Sequence, residues 1–143
     1  MKMRLTFRTS GDNFKAQECI QRLYSNELNT KYDAKYPNNL SWVHPEEFVD
    51  YRENNIRSTY ERAYLDFIMN NINEINRCGA DDYVLFTEMY IEADEQCNFE
   101  ILSEGFYSYI WKYSIALPTS VYICDAEGAC VQTFLEVKSD TEL

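Results

Sequence analysis

The chain has 143 residues, of which 45% are hydrophobic and 26% are charged, a balance typical of one globular domain that buries a sizeable core. Its 4 glycines and 3 prolines, against 12 tyrosines, 8 phenylalanines and 2 tryptophans, exclude collagen-like and low-complexity sequence. The formal net charge of −11 would repel nucleic acid and anionic membranes from most of the surface and would attract a basic protein.

The sequence shows no targeting or membrane-spanning segment. No run approaches the ~18 to 20 apolar residues that a membrane span needs. Residues 1–9 alternate charged and apolar side chains and lack the continuous apolar core of a secretory signal. We therefore expect a cytoplasmic protein with no membrane partner.

The charge is unevenly distributed along the chain. Residues 1–35 hold seven basic and four acidic residues, whereas no basic residue lies between Arg77 and Lys112. Acidic residues accumulate in that interval, namely Asp81, Asp82, Glu88, Glu92, Asp94, Glu95, Glu100 and Glu104. Such a run is either a solvated surface that keeps the protein soluble or a docking surface whose field accelerates the encounter with a cationic partner.

The amino-terminal pattern predicts a strand followed by an amphipathic helix. Apolar and polar residues alternate from Lys2 to Arg8, as in a half-buried strand. A Ser-Gly-Asp turn follows, and Asp12 is a candidate N-cap for a helix whose apolar positions extend to Tyr24. Residues 26–45 show no sustained period, so we interpret them as a long loop that Trp42 pins to the body of the protein.

A long helix is the strongest prediction in the chain. From Asp50 to Arg77, one apolar stripe recurs at helical spacing, formed by Ile56, Tyr60, Ala63, Tyr64, Phe67, Ile68, Ile72 and Ile75. Asp50 and Glu53 could form a capping box at its start. Gly79 is a stop signal directly after the helix, which carries a cation in its last turn.

The carboxyl-terminal half predicts strands around one ambiguous segment. Residues 83–92 and 97–102 are strand-like, with a turn between them, and residues 103–117 fit either a helix or a strand. Residues 121–124 and 130–137 bracket a hairpin turn at 125–128, and residues 138–143 are expected to fray. On the first of these strands, Glu88, Tyr90 and Glu92 share one acidic and aromatic face.

Two segments carry a family resemblance. Residues 5–14 (LTFRTSGDNF) and residues 99–104 through 120–123 resemble an uncharacterised bacterial domain family of small acidic proteins, some of which are associated with immunity to polymorphic toxins. The resemblance implies an α+β single domain over residues 1–143, with a ferredoxin-like antiparallel sheet packed with helices, and it favours a helix over 104–114. The alternative is a long helix packed on a five-strand β-meander.

The side-chain chemistry points away from catalysis. The five cysteines lie at 19, 78, 97, 124 and 130, and His44 has no second histidine, so we expect no metal, no cofactor and no catalytic residue. Cys19 lies on an apolar stripe and is expected to be a core residue. Cys124 and Cys130 flank the hairpin turn, and we expect them to remain thiols in a reducing cytoplasm, with a disulfide as the alternative.

These observations favour a protein-binding inhibitor. The leading hypothesis is an immunity protein that neutralises a cognate basic toxin, such as a nuclease, because a cleft that grips phosphates is cationic. The candidate contact residues are Glu88, Tyr90, Glu92, Asp94 and Glu95, supported by Asp81 and Asp82. Three alternatives remain open: a phage-encoded DNA mimic with carboxylates spaced along an extended face, a small enzyme of unrecognised type, and an adaptor or structural domain with no activity of its own.

Overall fold

A computed structural model describes residues 1–24, 26–94, 102 and 104–133 of the chain. In these ranges the chain forms seven strands and three helices. In order they are β1 (Lys2–Ser10), α1 (Ala16–Ile20), β2 (Asn29–Lys31), β3 (Asn39–Val43), β4 (Val49–Asp50), α2 (Asn54–Arg77), β5 (Asp82–Glu92), α3 (Glu104–Tyr113), β6 (Thr119–Cys124) and β7 (Cys130–Thr133). None of the described helices is long and apolar enough to cross a membrane.

The seven strands form one sheet in the order β2-β3-β1-β5-β6-β7, and β4 pairs with the first residues of β1. Most pairs are antiparallel, but β5 and β6 are parallel because α3 connects them as a crossover. The α+β class is therefore confirmed, whereas a wholly antiparallel sheet and a five-strand meander are both wrong. The strand order does not by itself establish a ferredoxin-like core.

All three helices pack on one face of this sheet. Successive strand residues point to opposite faces, and Phe7 and Trp42 point to the helices, where each ring contacts Phe67 of α2 at 6.0 and 4.6 Å between centroids. From Tyr60 to Ile75 the α2 stripe is buried, apart from the half-buried Ala63, as its spacing predicts. Phe106 anchors α3 in the same core.

The opposite face of the sheet carries polar and aromatic side chains. It includes Arg4 and Arg8 of β1 and Phe86, Glu88 and Tyr90 of β5, none of which is fully buried. No described helix lies on this face. We call it the open face.

The helix starts differ from the sequence-based expectation. The helix α1 begins after Lys15 and ends at Ile20, so Asp12 is not its N-cap; the turn at 11–14 is closed by backbone bonding instead. Asp50 pairs in β4, and α2 starts after Glu53 without a side-chain cap, so the capping box does not form. Asp50 is a strand residue because the backbone of β4 pairs with the first residues of β1.

The segment at 26–45 is not one long loop. It contains β2 and β3, and Trp42 is a fully buried strand residue. Its role as an anchor is confirmed, but the reason is strand pairing beside Phe7 rather than a pinned loop. Strands of three and five residues are too short for an alternation of apolar and polar residues to be recognised within an asparagine-rich segment.

Other boundaries are confirmed. Gly79 ends α2 with φ +102°, and residues 104–113 are helical. The predicted hairpin forms between β6 and β7. Residues 97–101 of the predicted second strand, the end of the hairpin strand after 133 and the tail at 138–143 lie outside the described residues.

Candidate functional site

The strand β1 changes partners halfway along its outer edge, and this change shapes the site. Residues 6–10 pair with β3 and residues 2–3 pair with β4, while residues 44–48 leave the sheet in between. Two buried tyrosines of α2 satisfy the backbone in the gap: the Leu5 N–H donates to the Tyr60 hydroxyl at 2.9 Å, and the Tyr64 hydroxyl donates to the Leu5 carbonyl. The Tyr64 hydroxyl also accepts the His44 N–H at 2.9 Å. The excursion is thereby fixed at its base.

Phe48 stands at the end of that excursion, beside an ion pair on the open face. The Arg4 Nε donates to Glu88 Oε2 at 2.6 Å, and Arg4 Nη1 lies 3.1 Å from Glu47 Oε1. The Arg4 guanidinium carbon also lies 5.2 Å from the Phe48 ring centroid, within cation–π range. Because Arg4 and Glu88 are both less than one-third exposed, Glu88 is largely neutralised within the protein.

Tyr90 connects this ion pair to the end of the sheet. Its hydroxyl donates to Glu88 Oε2 at 3.0 Å, and its ring stacks on Tyr122 of β6 at 4.8 Å with a 9° interplanar angle. The Phe48 ring meets it edge-on at 5.0 Å. Burial and the adjacent Glu88 carboxylate raise the pKa of Tyr90 to about 12. The ring is therefore held in place with a neutral hydroxyl.

A cleft of about 1000 Å³ opens where the parallel strands β5 and β6 end. We call it the carboxyl-end cleft. Phe48 and Tyr90 supply its aromatic wall, and the charged side chains in its lining are the carboxylates Asp50, Glu92, Asp94 and Asp125 and the cations Lys2 and Arg52. Glu92 and Asp94 are exposed at the rim. A hydrogen bond from the Arg52 N–H lowers the pKa of the Asp50 carboxyl, which also lies 3.4 Å from Arg52 Nε.

Asp81 and Asp82 lie at the other end of β5. Ten residue steps separate Asp82 from Glu92, which is about 33 Å along a strand. The two aspartates line a separate polar hollow of about 320 Å³, together with Ser10, Gly11, Asp12, Asn38 and Asn39. The described residues of the predicted site therefore do not form one patch, and Glu95 lies outside the described ranges.

No protein-family model, curated protein or solved structure matches this chain. The resemblance seen in residues 5–14 and 99–123 thus remains a hypothesis that rests on those two segments.

The cysteines differ from the expectation in one respect. Cys124 and Cys130 form a disulfide, because the hairpin register sets them directly opposite each other with 4.0 Å between their Cα atoms. Cys19 and Cys78 are buried thiols. Burial and the contact with Cys78 raise the pKa of the Cys19 thiol to about 12, so Cys19 carries little thiolate at neutral pH.

His44 is occupied by contacts of its own. Its Nδ1 accepts the Glu46 N–H at 2.9 Å, its ring packs on Tyr60 at 4.9 Å, and its Nε2 lies 3.8 Å from Glu27. Cys19 contacts Cys78, and both thiols belong to the buried core. Among the described residues, no group of three or more His, Cys, Asp or Glu side chains is arranged to hold a metal ion.

Sequence reasoning missed four residues of this site: Arg4, Phe48, Tyr122 and Asp125. Arg4 carried a usable signal, since it lies on the polar side of β1 and opposite charges often pair across neighbouring strands. Phe48 carried none, because it follows an aperiodic segment. Tyr122 and Asp125 lay within the predicted hairpin, but the parallel pairing that brings them beside β5 depends on the crossover through α3.

Proposed function

We propose that this protein is a non-enzymatic inhibitor that binds a cationic protein at the carboxyl-end cleft, as an immunity protein does against a basic nuclease toxin. The observation that carries the proposal is the convergence of Glu92 and Asp94, at the end of β5, with Asp125, directly after β6, around one aromatic-walled cleft. A nuclease grips phosphates with a cationic cleft, so an acidic and aromatic surface gains both encounter rate and specificity against it. The ferredoxin-like family resemblance stays part of this proposal.

Glu88 and Tyr90 take different roles within it. Glu88 is bonded to Arg4 and to the Tyr90 hydroxyl, so it positions Tyr90 rather than meeting a partner as a free charge. Tyr90 lines the cleft with its ring fixed by Tyr122 and Phe48. A rigid tyrosine contributes contact area at little cost in conformational entropy, which is the reason interfaces are enriched in this residue.

The distribution of charge favours compact capping over DNA mimicry. A DNA mimic needs carboxylates spaced along an extended face, as phosphates are. On the open face, Arg4 pairs with Glu88 and the Arg8 guanidinium lies over the Phe86 ring at 4.8 Å. The middle of the described face is therefore neutral or cationic, and the other acidic residues of β5 and its flanks lie at its two ends.

The test is binding to the product of the gene directly upstream, where a toxin gene would lie. Calorimetry at ionic strengths of about 0.01 M and about 1 M should give nanomolar affinity that weakens at high salt, since the Debye length falls from about 30 Å to 3 Å. The double variant Glu92→Gln/Asp94→Asn should weaken binding at least tenfold. The matched variant Asp81→Asn/Asp82→Asn removes the same charge at the far end and should bind as the wild type does. Equal effects of the two variants, or no binding at all, would sink the proposal.

A further inference from the structure

A disulfide forms part of the wall of the carboxyl-end cleft. Cys124 ends β6 and Cys130 begins β7, and both residues line the cleft. Cys130 is exposed and Cys124 is half-buried, whereas the thiols of Cys19 and Cys78 are enclosed in the core. Among the described cysteines, a solute can therefore reach the sulfur atoms of this disulfide but not the two buried thiols. Exposed disulfides exchange with external thiols more readily than enclosed ones.

The hairpin turn does not depend on this bond. Asp125 Oδ1 accepts the N–H groups of Glu127 at 3.0 Å and Ala129 at 2.9 Å. The Asp125 N–H donates to the Ala129 carbonyl, and Gly128 provides the positive φ that the turn needs. The disulfide can thus open while the turn between β6 and β7 stays closed, so exchange is a local event.

The charges next to the two sulfurs are mostly negative. Asp125 directly follows Cys124, and Glu92 is the strand partner of Cys124 in the parallel register. Asp94 lines the same cleft and Glu127 lies in the turn. The cations of the cleft come from other elements, namely Lys2, Arg52 and the Met1 ammonium, and Arg52 is bonded to Asp50. An incoming anion is therefore opposed and an incoming cation is favoured.

We propose that the Cys124–Cys130 disulfide is a thiol–disulfide exchange site selective for cationic thiols, such as small aminothiols. The thiolate of the aminothiol attacks the exposed Cys130 Sγ. A mixed disulfide forms on Cys130, the Cys124–Cys130 bond breaks, and Cys124 leaves as a thiolate that takes a proton from water. A second aminothiol thiolate releases Cys130 and forms the oxidised aminothiol, so the two electrons that reduce the protein come from the two thiols.

The test compares three thiols of different charge on the folded full chain: cysteamine, 2-mercaptoethanol and 2-mercaptoethanesulfonate. The rates are compared at equal thiolate concentration, after alkylation and mass mapping of each cysteine peptide. One unit of charge about 7 Å from the sulfur changes the rate by about threefold in water. We expect the cationic thiol to react about threefold faster than the neutral one and the anionic thiol about threefold slower, with both ratios shrinking at high salt.

Variants locate the source of the selectivity. Glu92→Gln/Asp94→Asn should reduce the rate ratios, and Asp81→Asn/Asp82→Asn should leave them unchanged. Equal or reversed rates for the three thiols would overturn the proposal, as would alkylation of Cys124 and Cys130 without any reductant. Labelling of Cys19 and Cys78 at the same rate would also overturn it, because the reaction would then proceed by unfolding. No protein partner enters this assay, so its failure is distinguishable from failure of the proposed function.

Discussion

The two tyrosine hydroxyls that bond Leu5 should be worth far more to stability than an exposed tyrosine hydroxyl. Tyr60→Phe leaves the buried Leu5 N–H without its acceptor at 2.9 Å, and an unsatisfied buried donor costs about 1–3 kcal/mol. Tyr64→Phe leaves two backbone groups without their hydrogen-bond partner, the Leu5 carbonyl and the His44 N–H, so it should lower the free energy of unfolding by about 2–5 kcal/mol. For a chain of this size, about 2 kcal/mol lowers Tm by roughly 4–8 °C.

The assay is urea denaturation of both variants beside Tyr36→Phe, whose residue is 61% exposed and whose change should stay within about 0.5 kcal/mol. Amide hydrogen exchange at Leu5 provides a local readout, because opening of the β1 edge there should become easier in Tyr60→Phe. A cost for Tyr60→Phe no larger than that for Tyr36→Phe would refute the reasoning. So would unchanged exchange at Leu5.

Three further predictions concern the turn, the ion pair and alkaline pH. Gly79→Ala should lower the free energy of unfolding by about 2–5 kcal/mol, because the new Cβ would lie 2.4 Å from a backbone oxygen at φ +102°. Gly128→Ala, at φ +86° but in open space, should lower it by about 1 kcal/mol. Similar losses for the two variants in urea titrations would contradict this prediction. A double-mutant cycle of Arg4→Met and Glu88→Gln should give a coupling of about 1–2 kcal/mol, between the values for exposed and enclosed pairs; thermal unfolding that yields additive losses would argue against the pair. The folded-state pKa values of Tyr90 and Cys19 are raised to about 12 from 10.0 and 9.0. The contributions of these two groups to folding stability are therefore fully present below pH 9 and are lost as pH rises towards 12. A free energy of unfolding that is the same at pH 8 and pH 11 would count against these shifts.

The fold could be predicted from sequence where one periodicity persisted over a whole element. The helix α2 and the strands β1 and β5 are long enough for the pattern to show. The short strands β2 to β4 could not be found, because two to five residues give no period and β4 exists only as the partner of the first residues of β1. The start of α2 was misplaced for the same reason: Asp50 has a side chain that can cap a helix, but its backbone pairs with β1 in the sheet.

The site was predictable only in part, because it depends on which strands are neighbours. The alternation in β5 correctly grouped Glu88, Tyr90 and Glu92 on one face, but it gave no information on what lies opposite them. The local clustering of acidic residues in sequence grouped Asp81 with Asp94, although an extended strand separates them. Sequence proximity is a poor guide to spatial proximity along a strand, since each residue adds about 3.3 Å.

The pairing of β1 with β5 explains why so acidic a chain does not present one acidic face. The basic amino-terminal segment supplies β1, and the acidic segment supplies β5, so the two charge blocks of the sequence become adjacent strands. The register sets Arg4 opposite Glu88 and Lys2 opposite Tyr90, which neutralises the middle of the open face. Acidic residues cluster where β5 enters and leaves the sheet, Asp81 and Asp82 at one end and Glu92 and Asp94 at the other, where Lys2 of β1 lines the same cleft. At the carboxyl end of β5, these acidic residues lie beside the aromatic wall and the accessible disulfide of the cleft. Protein binding and thiol exchange at this cleft can be tested independently of each other.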